Sequence, residues 1–308
     1  MFLNLIAGLS SQEFKLTVDD RAVIIAADKS RYKVPLIYEN DTLMVLPMIT
    51  LTNKTVEMPI SRDILQSILT VNSKELMKVK NVDVNELQKL YYLTDEGCFT
   101  FTTGACLNTF KLDKPVKILL NDRIVKLFKL FKEDVQFSLG FDSLRDGTIQ
   151  TKVIFETPTT YLAALIVVND LLLSRVEGPC NATKNFINEE YLNKAVLNVP
   201  QLQAAIARII AFTKHSKTAA NMLYVPVKVV IKSDEFTLTD KAGNAETVAV
   251  ENGSWVDAEY HLGVNVVDLK LVLDSCKDQH ITFNCGNHRS VVITHGAVHN
   301  LIPELKEA

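Results

Sequence analysis

The sequence predicts an α+β fold assembled from repeated β-α-β-β-β units, with helices lining one face of each domain and sheets the other. Three observations carry that expectation. Short extended segments lead into amphipathic stretches of helical period, the period then switches to 2 over the following segments, and the whole pattern recurs along the chain. Two such units set back to back can bury their apolar helix faces against a shared sheet.

Taken in order, the N-terminus reads as a unit entered at its helix. An amphipathic stretch over 2–9 is followed by extended segments over 14–18, 22–26 and 31–35, with no leading strand. The next unit starts at Met58-Pro59-Ile60 and enters a helix over 61–70, where Ser61 is placed to cap the first turn. A third runs from 116–120 into a helix over 121–132 capped by Asn121, then into strands over 135–139 and 151–155 around a turn at Asp146-Gly147. The fourth runs from 196–199 into 200–216, where Pro200 suits a first helical turn, and on to a hairpin of 227–231 and 236–239. The fifth runs from 260–264 into 265–278, followed by a hairpin of 281–285 and 290–294 turning at Gly286-Asn287. Boundaries fall near residues 53 and 190, giving pieces 1–52, 53–189 and 190–308, the first only half a domain.

Composition narrows the function classes. A chain of 308 residues can hold two or three cores, since single cores stop growing near ~250 residues. Charged residues at 22% and a mean hydropathy of +0.12 exclude disorder. No apolar run reaches the roughly 18 residues of a membrane span. Five scattered cysteines, an odd number, argue against a disulfide scaffold and for the reducing cytoplasm. Asn53-Lys54-Thr55 and Asn181-Ala182-Thr183 match a glycosylation acceptor pattern, but no secretory context accompanies them.

Charge is unevenly placed. Residues 114–132 hold six basic side chains and one acid, +5, which leaves −8 for the remainder of a chain with net charge −3. On a helical wheel Ile124, Leu127, Phe128 and Phe131 share one face, with Lys126 and Lys129 opposite and Arg123 and Lys132 flanking. Arg62, Arg208, Lys214, Lys270 and Lys277 lie on or beside the other helical stretches. Basic helices on an acidic body attract phosphate. With no interleaved aromatics to stack bases, the expected contact is to the duplex backbone and is indifferent to sequence.

Catalytic patterns are absent from the sequence: no phosphate-cradling Gly-rich loop and no G-x-S-x-G elbow. Cys285, His288, His295 and His299 form the one metal-like grouping, and the i, i+4 pair His295/His299 would converge only on a helix. Because 290–294 reads as a strand and Gly296 as a turn, these histidines are expected to be structural. Cys98 and Cys106 fall in alternating segments and read as buried packing residues. A non-catalytic binding or scaffold protein without cofactor or metal is therefore expected.

The order of these units, together with several short motifs, resembles the β-type DNA polymerase sliding clamp of bacteria and their phages, the DNA polymerase III beta subunit family. The motifs are Val264-Asn-Val-Val-Asp-Leu-Lys-Leu-Val-Leu-Asp274 with the terminal Asn300-Leu-Ile-Pro-Glu-Leu305, and Thr102-Thr-Gly-Ala-Cys-Leu107. Lys29-Ser-Arg-Tyr-Lys-Val-Pro35 is similar to the strand closing the family's first domain, and Leu173-Ser-Arg-Val-Glu-Gly178 to the strand closing its second. The resemblance spans nearly the whole chain and implies DNA-clamp domains in a head-to-tail ring, a dimer, around duplex DNA. Such a ring tethers the replicative polymerase and is handled by a clamp loader, both through short linear motifs.

Carried over by position, the resemblance implies a partner-peptide pocket lined by Thr102, Gly104, Leu107, Ser290, Leu301, Ile302 and Pro303. Taken alone, Leu301-Ile302-Pro303 reads as an ordinary terminal strand. Ala105 and Cys106 replace a basic pair usual in the family, and Glu304 replaces an apolar residue, so peptide preference would differ. Ring closure would join Tyr32 and Val34 of one subunit to Ala211 and Phe212 of the next. Two other classes remain open: a β-rich repeat protein of a phage or virion, and a metal-dependent enzyme using His288, His295 and His299.

Overall fold

The computed structural model describes residues 13–27, 30–36, 38–39, 42–43, 51–70, 86–102, 104–143, 149–166, 170–215, 225–254, 259–286 and 289–305. They belong to two compact units, Met1–Thr50 and Leu51–Ala308.

In the first unit, Lys15–Val18 (β1), Ala22–Ala27 (β2) and Ser30–Pro35 (β3) form an antiparallel sheet in that order. Asp19 closes the first hairpin by accepting from the N–H groups of Arg21 (2.9 Å) and Ala22 (2.6 Å), which holds its carboxyl below the ordinary carboxylate range. Ala22, Ile25 and Ala27 of the central strand are buried, and β1 and β3 are the outer strands of this sheet. Tyr38–Glu39 (β4) and Thr42–Leu43 (β5) make a second, short hairpin. The helix expected over 2–9 lies outside the described residues.

The second unit begins with Asn53–Ile60 (β6) and Arg62–Thr70 (α1), followed by Leu90–Thr94 (β7), Gly97–Phe101 (β8), Ala105–Thr109 (β9) and Lys117–Asn121 (β10). Asp122–Leu127 (α2) continues through a tighter turn, Phe128–Leu130, into Val135–Ser143 (β11), Ile149–Glu156 (β12) and Tyr161–Ile166 (β13). Asp170–Asn188 (α3), Asn193–Asn198 (β14) and Val199–His215 (α4) follow, then Pro226–Ile231 (β15), Glu235–Thr239 (β16), Ala245–Ser254 (β17) and Tyr260–Asn265 (β18). Val266–Ser275 (α5) leads to His280–Cys285 (β19), Ser290–His295 (β20) and Val298–Pro303 (β21). The sheets are a four-stranded one, β13-β12-β11-β6, and a twelve-stranded one, β10-β7-β8-β9-β21-β20-β19-β14-β17-β16-β15-β18.

The expected strand-to-helix entries are present with their caps. Ser61 Oγ accepts from Ile64 N–H (3.3 Å), Asn121 from Ile124 N–H (3.0 Å) and Asn198 from Gln201 N–H (3.2 Å). Two separate cores result. One lies around Phe128, Phe131, Phe137 and Phe155, the other around Leu202, Ile206, Leu269, Phe236 and Phe283. The hairpins turning at 232–234 and at Gly286 pair as expected, and Gly286 adopts φ +101, where only glycine is unstrained. The turn expected at Asp146-Gly147 lies outside the described residues.

Two expectations are corrected. Residues 121–132 do not form one helix: the α-helix ends at Leu127 and tightens to three residues per turn, which rotates the apolar face. Val125 is consequently buried and Leu127 is 38% exposed, while Phe128 and Phe131 stay buried. The stretch Leu173–Gly178, resembling a strand, is helical in α3. Leu172, Leu173, Val176, Cys180, Thr183 and Ile187 recur at helical spacing, so only a helix can turn them to one side. That helix tolerates Gly178 and Pro179 in its interior, substitutions that cost a helix about 1 and about 3 kcal/mol relative to alanine. Its stability therefore depends on what it packs against.

Candidate functional site

The seam between β9 and β21 brings together most of the expected pocket. Leu301 pairs with Ala105, His299 with Leu107, and Ser290 of β20 with Pro303. Because side chains alternate across a strand, Ala105, Leu107, Leu301, Pro303, Ser290 and Val292 share one face. Gly104 is required by a close approach: a Cβ there would lie 2.0 Å from the Leu301 carbonyl oxygen. Thr102 braces that turn, its N–H donating to Gly104 O (3.2 Å) and its Oγ1 accepting from Gly104 N–H (3.3 Å). Ile302 departs from the expected set. The same alternation sends it to the opposite face, where it is buried in the core of α4 and α5.

This face is not open. Leu107 is buried with Tyr92, Phe99 and Leu119 beneath Val176 and Cys180 of α3, with Leu172 and Leu173 packed on the same cluster. Leu301 and Val292 are buried with Tyr191, against Phe186 and Ile187 at the helix's C-terminal end. Polar bonds run along the edges of the helix. Lys117 pairs with Glu177 (2.7 Å), Lys184 with Glu96, and Tyr92 OH donates to Glu177 (3.5 Å). The Lys117 ammonium holds the Glu177 carboxyl below its ordinary range, and burial with nearby Glu177 pushes the Tyr92 hydroxyl up to about 12. The sequence reading missed this helix. Its signal was the helical spacing of its apolar residues.

The candidate DNA-facing cations divide into two groups. Arg62, Arg123, Lys129, Lys132 and Lys277 are exposed, and among the described residues none of them forms an ion pair. Lys126 instead pairs with Asp122 and Lys270 with Asp274, both one helical turn apart, and Arg208 makes a bidentate pair with Glu246 (2.7 Å each). These three are neutralised locally. The Lys214 side chain lies outside the described residues. In the first unit, Tyr32 and Val34 sit on the edge strand β3, and Tyr32 is 37% exposed. In the second, Ala211 and Phe212 are exposed on α4, Phe212 by 57%.

His295 and His299 do not converge on one point. His295 and His299 lie on neighbouring strands with His295 opposite Val298 and Thr294 opposite His299, so the two rings leave opposite faces. His299 Nδ1 bonds Thr294 Oγ1 (3.1 Å), His295 Nε2 meets Asn300 Nδ2 (3.4 Å), and His288 lies outside the described residues. A different trio, Cys276, Asp278 and His295, brings its ligand atoms within 4.8 Å of one another and could hold a metal ion. It borders an open cleft of about 340 Å³ whose lining includes Asp63, Gln66, Asn108, Lys277, Ala297 and Val298. Burial pushes the Cys276 thiol up, with a bond to Asp278 O opposing that, and pushes the His295 imidazole down, so both rest neutral at pH 7. Cys98 and Cys106 are buried, and all five cysteines are free thiols.

No protein-family model and no curated protein sequence matches the chain. Solved structures do. A DnaN sliding clamp (DNA polymerase III subunit beta) from Pseudomonas aeruginosa bound to griselimycin aligns with a TM-score of 0.69 at 12% identity, over 99% of this chain and 79% of that one. The beta subunit from the DNA polymerase of Streptococcus pyogenes aligns at 0.67 and 13%, over 99% and 80%. A Helicobacter pylori beta clamp bound to a DNA ligase peptide aligns at 0.64 and 16%, again over 99% and 80%.

Proposed function

We propose that this chain, which has the fold of DNA polymerase III beta subunits, is a sliding clamp: a non-catalytic processivity factor that encircles duplex DNA and tethers its partners. The observation that carries the reading is the extent of the shared fold, 99% of the chain against structures described as beta clamps. In this reading 1–52, 53–189 and 190–308 are successive clamp domains, and the two cores of the second unit belong to the latter two. A topological link needs only weak, screened attraction to phosphate, which suits a surface where, among the described residues, five of the candidate cations stand unpaired and three are neutralised by neighbouring acids. A β-rich structural protein has no use for the exposed Arg123, Lys129 and Lys132. The replicative polymerase and a clamp loader would bind the β9–β21 seam through short apolar motifs. Five free thiols, four of them buried, suit the reducing cytoplasm.

A head-to-tail ring of two subunits would join Tyr32 and Val34 to Ala211 and Phe212 of a second copy, a heterologous contact that closes only at the right rotation. Light scattering tests it: the wild-type chain should report about twice its 34.4 kDa mass, and Phe212→Asp, a change at an exposed site, should report the monomer. An unchanged mass would remove that interface. For the DNA surface, reversing Arg123, Lys129 and Lys132 to glutamate should weaken duplex binding. It should also reduce the slope of log affinity against log salt by about 3, at roughly 0.9 per phosphate contact. Peptide binding should be spared, and equal loss of both would contradict the division of labour.

A further inference from the structure

We infer that α3 is a resident occupant of the partner groove, so that a peptide enters the β9–β21 seam only by displacing it. The inference rests on reading that seam as the partner pocket. Four observations carry it. The two apolar residues that would anchor a peptide, Leu107 and Leu301, are 2% and 8% exposed, and each is clustered with side chains of the helix or the turn after it as well as with neighbouring strands. The helix spans the whole groove: Val176 and Cys180 sit over Leu107, while Phe186, Ile187 and Tyr191 sit over Leu301.

The helix is also built to let go. Gly178 and Pro179 lie mid-helix on the exposed side, and Pro179 has no N–H to give the Arg175 carbonyl, so the segment holds its shape by docking rather than by propensity. Finally, the closed state leaves the buried Tyr191 hydroxyl with no hydrogen-bond partner, a penalty that is relieved when the C-terminal end lifts and water reaches it. Two ion pairs at the surface, Lys117–Glu177 and the partly exposed Lys184–Glu96, add little holding force. An occupant that is weakly helical and well packed reduces apparent peptide affinity by the fraction of molecules in which it is undocked.

The test is calorimetric titration of the full chain with the peptide Gln-Leu-Ser-Leu-Phe, comparing three proteins. Gly178→Ala with Pro179→Ala strengthens the helix without touching the groove, since both positions are exposed and nothing lies within 4 Å of a Cβ at 178. It should weaken binding about tenfold or more. Val176→Asp undocks the helix and should tighten binding about tenfold or more, and hydrogen exchange in 170–188 of the wild type should accelerate when peptide is added. Equal affinities across the three proteins, with exchange unchanged, would overturn the occlusion and leave the pocket reading intact. Binding by none of them would overturn the pocket reading and this inference together. Should Val176→Asp not fold, the Gly178/Pro179 pair and the exchange measurement decide the matter.

Discussion

In the half of the second unit that holds α1 and α2, Gln66 donates from its side chain to Phe128 O (3.2 Å). In the half that holds α4 and α5, Gln203 donates to Leu273 O (3.0 Å). Each glutamine is the fifth residue of its helix, and each bond reaches across to the second helix of the pair or the turn continuing it. Those second helices are both capped by asparagine, Asn121 in one half and Asn265 in the other. The surfaces diverge where the frames agree. Among the described residues Arg123, Lys129 and Lys132 stand unpaired on the first pair and only Lys126 is tied, to Asp122, whereas Arg208 and Lys270 of the second are tied to Glu246 and Asp274 and Lys277 stands unpaired beside them. Burial dictates the repeated frame residue by residue, while exposed positions are free to differ between copies.

The largest effects should come from the cores. Phe155 is fully buried among Phe128, Phe131 and Phe137, with ring centroids 4.9, 6.4 and 5.1 Å away, and Phe283 packs on Phe236 at 5.2 Å. Phe155→Ala and Phe283→Ala should each cost about 3–5 kcal/mol, and hydrogen exchange should show lost protection confined to the half that carries the change. Loss spread evenly over both halves would erase the distinction between two cores.

The caps sharpen the comparison. Asn121→Ala should cost about 1 kcal/mol, the usual value for a helix cap. Asn265→Ala should cost more, about 2–3 kcal/mol, because Asn265 also accepts from the buried N–H of Val225 (2.9 Å), which the change would orphan. Equal losses in denaturant titration would contradict that account. Gln66→Ala and Gln203→Ala should instead match each other at about 1 kcal/mol.

Between pH 7 and pH 5 acid should act on the second half through its buried histidines. Burial lowers the imidazoles of His295 and His299 below their ordinary value near 6.5; Asp278, 3.8 Å from His295, opposes this at His295, while His295 lowers His299 further. A lowered folded-state value means the unfolded chain takes the proton first. Their contribution is therefore complete above about pH 6.5 and is lost as pH falls through the folded-state values. Thermal melts between pH 7 and pH 5 should show a declining midpoint, and His295→Asn should flatten the decline. A wild-type midpoint that stays level would contradict the burial argument.

Much of this was legible in the sequence because burial writes periodic patterns. The strand-to-helix entries, the caps at Ser61 and Asn121, and the hairpin at Gly286 follow from period, cap chemistry and turn residues. The pairs Asp122–Lys126 and Lys270–Asp274 were also readable, as i, i+4 neighbours, whereas Arg208–Glu246 spans 38 residues and needed the fold. Ile302 could have been set aside by strand alternation alone. The role of α3 was hidden for a physical reason: Gly178-Pro179 is a helix-breaking signal, and only the tertiary surface of Leu107 and Leu301 overrides it.

The central claim is that the protein holds DNA by enclosing it. The direct test lets the protein thread onto linear duplex with free ends, blocks both ends with a bulky protein, and washes with high salt. The account predicts that the protein stays on the blocked duplex and leaves when the duplex is cut between the blocks. Removal by salt whether or not the ends are blocked would mean surface binding, and would contradict it.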